Sequence, residues 1–294
     1  MILFYDPRAL EYGTAYHPER PTRLAGTRKL IKDLHPAWDW VVPRAAEDQE
    51  ILRVHSPEHL ARLSEAADFD ADTPAYRDIA AHARRSAGAA LGVVDEALKQ
   101  NKSFSLMRPP GHHATRDRAM GFCYLNSVAI AAYAGLSSGC ERVAIWDFDA
   151  HHGNGTESIV RGNEQIRFAS IHQLPGYPGS GGTSFANVFN YPIPPNSDPS
   201  LHAEKVGAAL TRLIEFRPDL LLVSAGFDAF AGDPITEMTL EIEHFSMFGS
   251  WLANLDFPVG AILEGGYSGE LPMLVNAFLV GWEGEAREEI GDRQ

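Results

Sequence analysis

The side chains best suited to chemistry stand in one run, VAIWDFDAHHGNG at 143–155. Asp147, Asp149 and His151 are spaced by two, so extended backbone turns all three to one side. Three polar groups at the end of a buried apolar run are costly unless they are paired or bind a metal. A second run, LLLVSAGFDAF at 220–230, delivers Asp228 from another strand end. Two carboxylates and one imidazole leave a tetrahedral position open for water, which is how catalytic zinc is held. The oxygen-rich donors also suit iron(II), cobalt or manganese. One Asp alone would read as a turn or a helix cap, whereas Asp-x-Asp-x-His-His-Gly-Asn-Gly after a buried strand does not. Two further segments add functional groups. RPPGHHA at 108–114 sets His112 beside His113 in a turn with no packing use for them, and LEGGY at 263–267 puts the Tyr267 phenol after Gly265 and Gly266.

The elements that must position these groups are short apolar runs at 2–5, 104–107, 143–148, 166–171, 220–225 and 259–263. Their continuous hydrophobicity predicts strands buried on both faces of a parallel sheet. Helical periodicity fills the gaps at 22–34, 57–67, 76–99, 124–136, 201–216 and 240–254; Val206, Ala209, Leu210, Leu213 and Ile214 form one such stripe. Alternating strand and helix predicts one α/β domain over 1–294. The Pro- and Gly-rich stretch 174–199 reads as a long surface loop. Ligands of such sheets gather beyond the carboxyl ends of the strands, where the polar residues above fall.

Composition narrows the partners. The 294 residues carry 25 Lys and Arg against 39 Asp and Glu, a net charge of −14. So acidic a surface argues against nucleic acid and anionic membranes and favours cationic ligands. Two cysteines, Cys123 and Cys140, are too few for a disulfide framework, and Cys123 reads as a small buried residue. The first residues lack a basic segment and no stretch suits a bilayer span, so the expected setting is cytoplasmic. An oligomer stays open.

Taken in order, HPERPTR at 17–23, RPPGHHA at 108–114, GFCYLN at 121–126, DFDAHHGNGT at 147–156, GFDAFAGDP at 226–234 and LEGGY at 263–267 resemble the histone deacetylase superfamily. That family includes acetoin-utilisation proteins and acetylpolyamine amidohydrolases, and the forms here are nearer its class II and bacterial branches. The resemblance implies the arginase–deacetylase fold, three layers around an eight-stranded parallel sheet. It implies a zinc-dependent deacylase of acyl-lysine or of a small acylated amine, with Fe2+ or Co2+ as substitutes. Asp149, His151 and Asp228 match the zinc ligands. His112 matches the histidine paired with Asp147, His113 the general base oriented by Asn154, and Tyr267 the phenol that donates to the substrate carbonyl. Phe122, Tyr177 and Gly121 match the acyl channel, Asp72 a rim carboxylate, and Arg23 the inner cavity. A structural K+ is implied on Asp147, Ser170 and Ile171, with the carbonyls of Asp149 and His151.

On this reading Asp147 favours a cationic His112, while neutral Asn154 leaves His113 less basic. Glu264 reads as a paired structural carboxylate. His35, His59, His82 and His244 read as surface or core residues. Tyr177 stands where many relatives carry Phe, and Ile235 where a polyamine-selective relative carries Glu. Two competing readings are an arginase-like binuclear manganese ureohydrolase, which would want carboxylates at His152 and Asn154, and an inactive acyl-lysine binding module, which would lack Tyr267 or His113.

Overall fold

The computed structural model describes residues 1–284; the end of the expected domain, 285–294, lies outside the described residues. The apolar runs form parallel strands β1 (Ile2–Phe4), β3 (Ser103–Ser105), β4 (Val143–Asp147), β5 (Ile166–Gln173), β7 (Leu220–Ala225) and β8 (Val259–Leu263). Two further strands, β2 (Asp39–Val41) and β6 (Val188–Ile193), complete one sheet of eight in the order β2-β1-β3-β8-β7-β4-β5-β6. Every neighbouring pair is parallel. The stretch read as a long loop therefore contains β6. It was hidden because an edge strand alternates buried and half-exposed residues and here includes Pro192, which breaks any continuous apolar run.

Helices α1 (Thr22–Leu34), α2 (Asp48–Ile51), α3 (Pro57–Arg62), α4 (Ile79–Ala97), α5 (Ser127–Ser137), α6 (Asn154–Val160), α7 (Pro199–Ile214), α8 (Ile242–Ala253) and α9 (Leu271–Glu283) connect the strands. They pack in two groups, α4 with α5 and α9 with α1 and α8, and flank the sheet as two outer layers. α2, α6 and α9 were not expected. α9 is apolar around most of its circumference, a pattern that cannot be told from a buried strand by periodicity alone. Trp146, Phe148, Phe227, Phe245, Phe248 and Phe278 form an aromatic core against the central strands. β3, β8, β7 and β4 are adjacent, and the last three end nearly level: Asp147 pairs with Ser224, and Ser224 with Ile262. The loops that follow these four strands carry the residues singled out from the sequence. No described helix is long and apolar enough to cross a membrane.

Candidate active site

Asp149 and His151 follow β4, and Asp228 follows β7. One ligand atom from each lies within 4.8 Å of the others, a cluster able to hold a metal ion. Backbone N–H groups fix the carboxylates: Gly265 N donates to Asp149 Oδ2 at 2.8 Å and Ala150 N to Asp228 Oδ1 at 2.7 Å. Their other oxygens converge on His151 Nδ1, at 3.2 Å from Asp149 Oδ1 and 2.9 Å from Asp228 Oδ2. Burial opposes a charge on His151, but Asp228 and Asp149 outweigh it and hold the imidazole well above its ordinary range. The cluster thus attracts positive charge, as a divalent-cation site must. A Cβ on Gly265 would stand 2.2 Å from Asp228 Oδ2 and 2.5 Å from Asp149 Oδ2, so only glycine lets this backbone approach the ligands.

His112 and His113 stand beside the cluster, their rings 4.0 Å apart, yet their environments pull them apart. His112 Nδ1 lies 3.0 Å from Asp147 Oδ2. Burial disfavours its charge, but Asp149 and Asp147 prevail and push it up to about 10. His113 Nδ1 lies 2.7 Å from Asn154 Oδ1. Because an amide oxygen only accepts, Nδ1 carries the hydrogen and Nε2 keeps a free lone pair. Burial, with the charges of His112 and His151 alongside, holds His113 well below its ordinary range. This split between the two histidines agrees with the contrast expected from Asp147 and Asn154.

Tyr267 is buried, and burial keeps its phenol protonated far above the ordinary range. Arg23, expected at the inner cavity, is buried against Tyr267. Its guanidinium lies 4.7 Å from the Tyr267 ring centre and donates to Gly266 O at 2.6 Å and Glu264 O at 2.7 Å. Glu264 is the structural carboxylate expected: Oε2 accepts from Gly111 N at 2.6 Å and His112 N at 3.1 Å, and Oε1 from Ser224 Oγ at 3.2 Å. Sequence reasoning gave no role to the buried pair Arg108–Glu19. Arg108 donates to Glu19 Oε2 at 2.6 Å and to Ala9 O at 2.6 Å, and Arg23 also reaches Glu19 at 3.2 Å. The signal available was Arg108 directly after the apolar run 104–107, a charge that must be paired if buried.

A cavity of about 270 Å³ opens above the cluster, lined by Pro18, Asp72, His113, Gly121, Phe122, His151, Tyr177, Ile235 and Tyr267. Phe122 meets the Tyr267 ring edge-on at 5.7 Å and Tyr177 meets His113 at 5.0 Å. Gly121 has φ +56°, and a Cβ there would stand 2.5 Å from His113 Cδ2. Asp72 is exposed at the rim. His17, given no role from sequence, joins three rim loops: Nδ1 accepts from Glu19 N at 3.1 Å, Nε2 donates to Asp72 O at 3.2 Å, and the ring packs 4.7 Å from Phe122. Asp147 pairs with Ser170 across β4 and β5, next to buried Ile171; Ser170 Oγ lies 2.9 Å from His172 Nδ1. Cys123 is buried, with its thiol pushed up by burial, as a packing residue would be. His59 and His82 are core residues.

Comparison with known proteins matches this geometry to a family. Residues 17–278 fit the histone deacetylase domain. A probable deacetylase of Methanothermobacter thermautotrophicus is 38% identical over 98% of this chain and 92% of its own length. Acetylpolyamine amidohydrolase 2 of Pseudomonas aeruginosa is 34% identical over 91% of this chain and 83% of its own. The crystal structure of the HDA15 HD domain superposes with a TM-score of 0.88 at 29% identity, covering 97% of this chain and 91% of that one. The sheet is that of the arginase–deacetylase fold, and the chain belongs to the histone deacetylase superfamily of deacetylating hydrolases.

Proposed function

We propose that this chain is a zinc-dependent deacylase that hydrolyses the amide of an acylated primary amine on an unbranched chain, as in acyl-lysine or an acetylpolyamine. The observation that carries the reading is the convergence of Asp149, His151 and Asp228 at the base of a cavity also lined by His113 and Tyr267. Bound there, zinc would polarise the amide carbonyl and bring its water toward a pKa of about 7. His113, free at Nε2, would take the proton of the attacking water and return it to the departing amine nitrogen. Tyr267 would donate its phenolic proton in a hydrogen bond to the carbonyl oxygen as negative charge develops there. Phe122 and Tyr177 would flank the aliphatic arm, and Asp72 at the rim would take an amide N–H or a distal ammonium. Asp147, Ser170 and Ile171 would hold the structural potassium that stiffens the end of β4.

The similarity to an acetylpolyamine amidohydrolase supports small acylated amines as substrates, and the acidic surface favours them. The binuclear arginase-like reading is disfavoured. His152 is engaged with Ser180 at 2.8 Å and Glu157 at 2.9 Å, and Asn154 with His113. Among the described residues one cluster able to hold a metal ion is found. A panel of acetyl-, longer-acyl and trifluoroacetyl-lysine peptides, with acetylputrescine and acetylspermidine, tests the reading on zinc-loaded protein. Turnover that falls at least about 100-fold in Tyr267→Phe and His113→Ala, with zinc retained, supports it. Wild-type rates in either variant remove that residue from the mechanism.

A further inference from the structure

Asp233 is buried, 7% exposed, in the loop that follows Asp228, and the mechanism above does not use it. Both of its carboxylate oxygens are occupied. Oδ2 accepts from Tyr267 N at 2.7 Å and Oδ1 from Ile235 N at 3.1 Å. One of these residues carries the phenol that faces the reaction, and the other lines the mouth of the cavity. The 233–237 segment is tied down on either side as well. Thr236 Oγ1 donates to Asp228 O at 2.5 Å, and Glu237 N donates to Gln173 Oε1 at 2.8 Å. The loop bearing Tyr267 thus hangs between two buried polar side chains. Arg23 grips the Gly266 and Glu264 carbonyls, and Asp233 grips the Tyr267 amide.

We infer that Asp233 is a positioning residue that sets the reach of the Tyr267 phenol and couples it mechanically to the specificity position Ile235. The inference rests on the proposed role of Tyr267. The coupling is direct: one rigid carboxylate spans both amides, so a displacement at Ile235 moves the anchor of Tyr267. An asparagine keeps the shape of Asp233 but offers one acceptor oxygen, so one of the two buried N–H groups would face a donor. A glutamate fits less well but keeps two acceptors. Shape alone therefore ranks Asn above Glu, and acceptor count ranks Glu above Asn.

The test is a double-mutant cycle of Asp233→Asn and Tyr267→Phe on zinc-loaded protein, with trifluoroacetyl-lysine peptide as substrate. Asp233→Asn is expected to lower kcat by about tenfold or more, because an unmet buried donor is expensive, with KM little changed and zinc still at one per chain. In the Tyr267→Phe background the same substitution should change kcat less than about twofold, since the group it positions is gone. Asp233→Glu should retain more activity than Asp233→Asn. Equal losses in both backgrounds, or Asn outperforming Glu, overturn the inference. A second readout is independent of turnover: 3-fluorotyrosine at position 267, read by 19F NMR on variants that unfold in urea as cooperatively as the wild type. Its resonance should move in Asp233→Asn, in Asp233→Glu and in Ile235→Ala, and an unmoved resonance also overturns the inference. Absence of turnover in the wild type would instead count against the proposed deacylase reading, with the resonance still deciding the role of Asp233.

Discussion

His113 Nδ1 lies 2.7 Å from the amide oxygen of Asn154, a neutral partner where the adjacent histidine has a carboxylate. Together with burial and the charges of His112 and His151 on one side, and of Asp149 and Asp147 on the other, that difference leaves His113 neutral beside a cationic His112. His113 is held well below the ordinary imidazole range, so it is neutral and able to accept a proton at neutral pH. A base acts when deprotonated, and its contribution is lost as pH falls through its pKa. The acid limb of kcat/KM should therefore lie below about 6.5. Asn154→Asp places an anion beside His113, raises its pKa and should move that limb to higher pH by about one unit or more. A profile that does not move would separate Asn154 from the base.

Gly265 lies against Asp149 and Asp228. A Cβ there meets Asp228 Oδ2 at 2.2 Å and Asp149 Oδ2 at 2.5 Å, and its N–H anchors Asp149. Gly265→Ala must displace both carboxylates. Zinc affinity, measured by competition with a chelating dye, should fall about 10- to 100-fold, as when other supports of metal ligands are lost. Unchanged affinity would mean that these carboxylates do not need their observed positions.

Arg23 is buried and satisfies two carbonyls of the loop before Tyr267. Arg23→Met leaves both without donors and removes one partner of Glu19. Urea unfolding should show a loss of about 3 kcal/mol, and turnover should fall because the phenol loop is released. A loss under about 0.5 kcal/mol, the range of ordinary surface changes, would contradict that account.

The residues of the candidate metal cluster were legible in the sequence because they follow plain apolar strands at close, regular spacing. Asp147 ends β4, Asp149 and His151 follow in the loop after it, and Asp228 follows a second strand with an equally plain apolar run. β4, β7 and β8 were equally plain, since fully buried strands are continuously apolar. The supports of the site were not legible. Glu19 meets Arg108, Asp233 meets Tyr267, and His17 meets Asp72 across loops far apart in the chain, and no local period records such meetings. Edge strands β2 and β6 were missed because half-exposed residues dilute their pattern. Arg23 was expected at the inner cavity, not as the residue that grips the Gly266 carbonyl.

At the mouth, Ile235 is 37% exposed and shares the cavity wall with Asp72. Ile235→Glu adds a second carboxylate there. The kcat/KM ratio of acetylspermidine to an uncharged acetyl-lysine peptide should rise about fivefold, because an exposed ion pair adds at most about 1 kcal/mol. A ratio that stays level or falls would place the distal ammonium elsewhere.

The most direct test counts metal and activity together. Metal-free protein should regain turnover in proportion to added zinc, saturating at one equivalent per chain, and Asp228→Ala should neither retain that ion tightly nor turn over substrate. Full activity without metal, or two tightly held manganese ions per chain, would contradict a single catalytic ion on Asp149, His151 and Asp228.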